Sequence, residues 1–294
     1  MSNILVTGAT GPLGSAVTES LLKKTGAAGI SILARSADKA AALKARGVNV
    51  LIGDYNDYAS LLAAFKGIDK LYMVSGNDIT NRIEQQDNVV KAAKEAGVKH
   101  IVYTSFQRKN ESASSPIAFV AAGHLNTERK LKESGLTYTI LQHSIYADMI
   151  PIFAGHQLLE TNTIYQPAGE GKTAYALRTD FAEAGANVLL DETGKYNNQS
   201  IELTGPEAVS WSEVAADIAA ITGHPIVYVS PTEEEFVETL TKAGVPAEYV
   251  GLFAGFSKAN KEGEFANVTT DLEAILGRKP VTVAEFLSGV YGDK

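Results

Sequence analysis

Short β-branched runs alternate with longer helical stretches through the first half of the chain, and that rhythm leaves few folds open. NILVT (3–7), ISILA (30–34), VNVLIG (48–53), DKLYMVS (69–75), HIVYTS (100–105) and TYTILQ (137–142) read as strands. Residues 12–24, 37–47, 57–66, 79–96 and 117–134 read as the helices between them. A strand, a helix and a strand at this pitch form a crossover unit, which makes the strands parallel and lays the helices on the sheet faces. NILV and HIVY are almost continuously apolar, as strands covered on both sides must be. The expected class is α/β, a doubly wound parallel sheet.

After about residue 150 the rhythm changes. QPAGEGKTAYALRTDFAEAGANVLL reads as a turn, a strand and a helix, and SIELTG as a strand. SWSEVAADIAAITG opens with Ser210 and Glu213 at capping-box spacing and ends at Gly223. PIVYVS is a further strand, while PTEEEFVETLTKAG and the tail from Pro246 are helical. This predicts a smaller C-terminal α+β portion leaning on the sheet. The expected division is residues 1–150 for the nucleotide and 151–294 for the substrate, with no linker to mark the boundary and interleaving left open.

The first crossover carries VTGATGPLG (6–14), with Gly8, Gly11 and Gly14 three apart. A tight glycine turn between a strand and a helix makes an anion site, because the helix N-terminus has free N–H groups and partial positive charge. Gly8 permits the turn, Gly11 a close approach of backbone to a pyrophosphate, and Gly14 close packing of helix on sheet. Pro12 suits the first helical turn, where its missing N–H is not needed; Thr10 and Leu13 complete the loop. A plain tight turn is the alternative, but the position on the first junction of a long crossover series favours a dinucleotide.

Arg35 follows the second strand, 21 residues after Gly14, where an acidic residue would bind the ribose 2′-hydroxyl of NAD. A planar, permanently charged arginine suits a 2′-phosphate instead, with Ser36 as N-cap adding a donor. NADPH is the expected cofactor and NADH a weaker one; a solvated surface charge is the alternative reading of Arg35. Asp38 falls at a helix start, where carboxylates are common.

Open α/β sheets bind ligands outside the C-terminal ends of their strands. The further candidates are therefore Asp54 and Tyr55, as an adenine edge; Ser75, Gly76 and Asn77; Thr104, Ser105 and Phe106; and Gln142, His143 and Ser144. Each alone is an ordinary loop residue, and the argument lies in their sharing one sheet edge.

The net charge of −8 argues against a nucleic-acid or anionic-membrane partner. The chain has no cysteine, which removes disulfides and thiolate chemistry and suits a reducing compartment. No basic residue precedes the short apolar run Ile4–Val6, and no apolar run approaches the roughly 20 residues that span a bilayer. A cytoplasmic protein is expected, with its oligomeric state open and a homodimer among the choices. His100, His124, His143, His156 and His224 show no paired ligand spacing, so no metal is expected.

VTGATGPLG, LARSADKA, GDYND, AAKEAGVKHIVYTS and YTILQHSIY together resemble the NmrA-like, atypical branch of the short-chain dehydrogenase/reductases. Within it the likeness is to the bacterial NAD(P)H:quinone oxidoreductases of type 2 and the triphenylmethane reductases, and it runs nearly the whole chain. The resemblance implies a Rossmann-like fold, NADPH, and reduction of quinones or similar conjugated acceptors such as dyes. Typical members of the wider family use a Tyr-x-x-x-Lys pair on the helix before the sixth strand. Here the matching pair is His124 and Glu128, and Phe106 stands where a catalytic Ser or Thr would follow strand five. Gln142 and His143 depart from the Arg-Asn that the resembling enzymes tend to carry there.

A site without the phenol can still pass hydride to an acceptor whose product is weakly basic; a quinone gives a phenolate, with a pKa of order 10. His124 is the candidate acid or donor near neutral pH, or else a plain hydrogen-bonding group. Glu128 reads as a surface partner of Lys132, four residues on. Tyr146, Phe153 and Tyr165 are candidates for a flat substrate wall, or core. A non-catalytic NADP(H)-binding redox sensor of the NmrA type is the alternative function, and a nucleotide-sugar epimerase or dehydratase a more distant one.

Overall fold

The computed structural model describes residues 2–78 and 80–292. The chain runs β1 (Ile4–Val6), α1 (Pro12–Thr25), β2 (Ile30–Ala34), α2 (Ala41–Ala45), β3 (Asn49–Ile52), α3 (Tyr58–Phe65), β4 (Lys70–Met73), α4 (Arg82–Ala96), β5 (His100–Phe106), α5 (Ala118–Ser134) and β6 (Thr137–His143). These strands pair in parallel in the order β3-β2-β1-β4-β5-β6. A seventh strand, Gln199–Leu203, pairs in parallel with β6. The sheet is doubly wound and Rossmann-like, and its order reverses between β1 and β4. That reversal opens a crevice at the C-terminal ends of the strands, where the chain leaves in opposite directions.

Two apolar layers hold the helices to the sheet. On one face, Leu61 and Phe65 of α3, Val89 of α4 and Leu131 of α5 meet Leu5, Leu71, Ile101 and Ile140. On the other, Leu13, Val17 and Leu21 of α1 pack with Phe181, Ala184 and Val188 of the helix Arg178–Leu190. That helix comes close to the sheet because Gly185 has no side chain: a Cβ there would lie 2.6 Å from the Tyr72 ring and hydroxyl.

The helix read over 37–47 is shorter than expected. Asp38–Ala40 form a 3-10 turn before α2, and the first cap is Ala37, so Ser36 caps nothing. The chain needs room to turn at Gly47, whose φ is 84°, before β3 begins. The helix read over 79–96 begins at Arg82; Ile79 lies outside the described residues.

Beyond residue 150 the chain does two things. One helix and one strand join the main sheet, as above. A short helix, Asp271–Leu276, also packs on the α1 layer of that sheet through Leu272 and Ile275, and the other elements surround a second core of Ile145, Ile164, Tyr175, Trp211, Val214 and Phe265, with two small two-stranded pairs, Thr163–Tyr165 with Val227–Val229 and Lys172–Thr173 with Val209–Ser210. The capping box of Ser210 and Glu213 forms as read, and Gly223 closes its helix at φ 70°. No helix among the described residues is long and apolar enough to cross a membrane.

The Gly185–Tyr72 contact is testable. Gly185→Ala is expected to lower stability by about 1–3 kcal/mol, as overpacking does. Tyr72→Phe removes a buried hydroxyl that has no hydrogen-bond partner and is expected to raise stability by roughly 1 kcal/mol. Urea melts of both variants measure this, and a neutral Gly185→Ala would show that the helix is held elsewhere.

Candidate active site

The turn after β1 shows why its glycines stand where they do. Gly8 has a φ of 61°, and a Cβ on it would lie 3.0 Å from Val74 at the end of β4, so backbone and space both demand glycine. A Cβ on Gly14 would lie 2.4 Å from the Gly8 carbonyl oxygen, and one on Gly11 3.3 Å from it. Gly14 thus lets α1 sit directly on the turn, where the spacing alone suggested contact with the sheet. Gly11 is the N-cap of α1 and offers no side-chain cap. Thr10 and Pro12 are exposed, while Leu13 points into the core. The first N–H groups of α1 therefore face the crevice mouth without a competing side chain, an arrangement that fits a pyrophosphate.

Arg35 directly follows β2, which pairs with β1, and so stands on the same rim as the glycine turn. It is exposed, and within the described residues it makes no ion pair or hydrogen bond.

Several candidates at the strand ends turn out to serve the scaffold. The Tyr55 hydroxyl reaches to 2.6 Å from Thr7 Oγ1 and 2.9 Å from the Val74 carbonyl, so it pins the loop after β3 to β1 and β4 and is not free to edge an adenine. Burial pushes its pKa up. Asp54 accepts from the Asn56 N–H and side-chain amide at 2.8 and 3.0 Å, closing its own turn. Thr104 Oγ1 accepts from the Ser75 N–H at 2.9 Å, tying β5 to the end of β4. Gly76 runs close to Gln85, whose Oε1 would meet a Cβ at 3.1 Å, and Asn77 is exposed at the rim.

The largest correction concerns α5. Glu128 is not a surface partner of Lys132; it is 4% exposed and faces the end of β5. The Arg108 guanidinium grips it with two parallel bonds, Nη1 to Oε1 at 2.9 Å and Nη2 to Oε2 at 2.8 Å. Ser105 Oγ donates to the same carboxylate, and the Gln142 amide adds a weak bond at 3.4 Å. Burial alone would raise the Glu128 pKa, but Arg108 and Ser105 together hold it below the usual carboxylate value. Glu128 is therefore ionised, and its charge is spent inside the protein.

His124, one turn earlier, is 5% exposed and bonded on both ring nitrogens. Arg82 Nη1 lies 3.3 Å from Nε2, and the Tyr103 hydroxyl 2.8 Å from Nδ1. A guanidinium only donates, so Nε2 accepts and Nδ1 carries the hydrogen that goes to Tyr103. Burial, with the charges of Arg82 and Arg108 adding to it, holds the His124 pKa well below its ordinary value. It is a neutral ring at physiological pH, which overturns the reading of it as an acid near neutrality. Arg82 itself escaped the sequence reading. Its signal was there, since position 82 continues the buried stripe of Gln85, Gln86, Val89, Val90 and Ala93 on α4.

The aromatic candidates do not form one wall. Tyr165 stacks on Phe236, away from the others, and Tyr146 packs on Phe181. Phe153 instead joins Trp211, Phe253 and Phe256. Phe106 stacks on His124 and meets Phe256 and Phe265 edge-on, so an aromatic run leads from His124 to the second core. Phe153, Trp211, Phe256 and Phe265 line a small, partly open pocket with a volume of about 20 Å³. His143 lies flat on Phe181 with centroids 4.3 Å apart, and its Nε2 has no partner. Its Nδ1 is 3.4 Å from the Tyr146 hydroxyl, whose pKa burial pushes up to about 12.

The chain matches the NmrA-like family over residues 1–287. It belongs to that family. Among curated relatives, this NmrA-like protein is 34% identical to quinone oxidoreductase 2 of Escherichia coli over 288 residues, 98% of each chain. It is 30% identical to an NAD(P)H azoreductase of Xenophilus azovorans, over 96% of each chain. The crystal structure of the Escherichia coli enzyme with NADPH superposes with a TM-score of 0.91, covering 98% of this chain and 99% of that one.

The NmrA-like fold buries three neutral histidines here, and this sets an acid limit. Burial drops His143 to about 3 and His100 to about 4, from an unfolded value of 6.5, and His124 also lies far below it. Between pH 6.5 and 4 the unfolded chain binds these protons and the folded one does not, so stability falls as pH falls. Each such histidine contributes up to about 1.4 kcal/mol per pH unit in that window. Urea midpoints at stepped pH are expected to show a slope that His143→Gln reduces by one proton. An unchanged slope in that variant would mean His143 is protonated in the fold.

Proposed function

We propose that this protein is an NADPH-dependent reductase that delivers hydride to quinones and related conjugated acceptors such as dyes. The observation that carries the reading is one crevice that pairs a pyrophosphate cradle with a reducing corner lacking a proton donor. His124 is neutral with both nitrogens engaged, Glu128 is ionised, and no phenol stands in their place. Such a corner suits acceptors whose reduced form needs no protein acid. The quinone oxidoreductase and azoreductase named above support this substrate class.

Bound NADPH supplies the hydride. The N-terminus of α1 would hold its pyrophosphate, and Arg35 would hold its 2′-phosphate by charge-assisted bonds. Ser105 has its hydroxyl hydrogen committed to Glu128. Toward a ligand its oxygen can then only accept, which suits a ribose hydroxyl or a carboxamide N–H. On this reading the nucleotide would rest on residues 1–150 and the acceptor would face the part from 151 onward, where the aromatic run from Phe106 ends. The cytoplasm is the proposed setting, supported by the absence of cysteine and the net charge of −8.

Two experiments test the reading. Arg35→Ala is expected to weaken NADPH roughly ten- to hundredfold while leaving NADH nearly untouched; equal loss of both would make Arg35 structural and sink the choice of cofactor. NADPH oxidation by a panel of quinones and dyes tests turnover, and tight NADPH binding with no turnover would favour a sensor. Within that panel, His124→Ala is expected to lower kcat/KM by less than about tenfold, and evenly across acceptors of different product basicity. A loss that grows with product basicity would restore His124 as an acid, whose removal typically costs about 10²–10⁴-fold.

A further inference from the structure

We propose that Arg82 is an uncompensated positive charge beneath the reducing corner, and that its field, in place of a proton donor, stabilises the negative charge that hydride leaves on the acceptor. The inference rests on the reading of the chain as a reductase. Arg82 is 7% exposed and makes no ion pair within the described residues. Its bonds are to neutral groups, His124 Nε2 at 3.3 Å and the Val120 carbonyl at 3.5 Å, and its Nε has no partner among the described residues. A buried guanidinium without a carboxylate is costly, and chains rarely keep one without a use.

The site is built to hold this charge. Arg82 lies across α5 at Gly123, where a Cβ would come 2.8 Å from its Cδ, so the glycine beside His124 is the groove for its stem. The one buried carboxylate of the corner, Glu128, is already taken by Arg108. Glu111 meets the same guanidinium from the solvent side, 59% exposed. Asp78, exposed before α4, spends its carboxylate on Asn81 and Gln85, and only its field reaches Arg82. Among the buried groups, Arg82 and Arg108 stand against Glu128 alone, which leaves one net positive charge inside, next to the residue that replaces the phenol, while the carboxylates of Glu111 and Asp78 lie at the surface, where water screens them.

Hydride carries two electrons. NADPH becomes NADP⁺, a quinone becomes the hydroquinone monoanion, and water then supplies the remaining proton. A cationic dye becomes neutral in the same step. In both cases the acceptor changes by one negative charge while the nicotinamide changes by one positive charge, so a fixed cation speeds both transfers when it lies nearer the acceptor than the nicotinamide, which is where Arg82 is proposed to stand. The two differ in binding, because only the dye enters as a cation and is repelled.

The kinetic test uses the full-length enzyme with NADPH, an uncharged benzoquinone and a cationic triarylmethane dye. Arg82→Gln is expected to lower kcat about tenfold for both, to lower the dye's KM about tenfold, and to leave the quinone's KM alone. Arg82→Lys, which keeps the charge, is expected to restore both patterns to within about threefold. An unchanged kcat, a dye KM that does not fall, or failure of lysine to rescue overturns the proposal. If Arg82→Gln does not fold, Gly123→Ala displaces the same charge and must move the same constants in the same direction. A second readout needs no turnover. 4-Nitrophenol added to the wild-type protein is expected to keep its phenolate to lower pH than with Arg82→Gln, and identical titration with the two proteins counts against the proposal. Unaltered NADPH binding by fluorescence in every variant separates this outcome from loss of the cofactor site. A wild type that oxidises NADPH with neither the quinone nor the dye overturns the functional reading itself.

Discussion

The contact on which the crevice depends is between a carbonyl and a missing methyl group. Gly14 passes so close to the Gly8 oxygen that any side chain would push α1 off the turn. The position of that helix then fixes where its uncapped N–H groups point, and the ordering of β2 beside β1 brings Arg35 to the same rim. Backbone geometry at one residue thus decides how the N-terminus of α1 is presented to the crevice, and with it the pyrophosphate cradle proposed above.

A second constraint lies deeper, on α5. Glu128 stands at the position that the resemblance gives to the lysine of the Tyr-x-x-x-Lys pair, and it is bound by Arg108. The ion pair joins the loop after β5 to α5 and, through Ser105 and Gln142, to the ends of β5 and β6. Removing one partner of such a pair leaves a buried charge unmatched, typically a loss of about 3–5 kcal/mol. The pair stiffens the very edge on which a cofactor would rest, while the neutral ring of His124 sits one helical turn away.

The strands and their order of appearance were legible because covered strands are continuous apolar runs, and the helices between them keep their own period. The capping box at Ser210 and the tight turn at Gly8 were legible because their local chemistry has few alternatives. The polar corner was harder. Glu128 four residues before Lys132 satisfies a familiar surface pattern, and only the stripe of Val120, His124, Thr127 and Leu131 shows that position 128 faces inward. Arg108 gave no signal, since its partner arrives from an element 20 residues on. Tyr55 and Thr104 lie at the edge where ligands bind, yet their hydroxyls are taken by neighbouring backbone and side chains, which no spacing rule reveals.

The seventh strand gives the chain a particular life history. Residues 199–203 cover the outer edge of β6 and are among the later parts to be made. Until they emerge from the ribosome, β6 presents a row of open N–H and C=O groups on an otherwise finished sheet. A half-synthesised molecule is therefore sticky along one line, and its hazard ends only when a segment from the far half of the sequence returns to close it. Proteolysis or truncation near residue 150 would reopen that line, so the two halves share one quality-control fate.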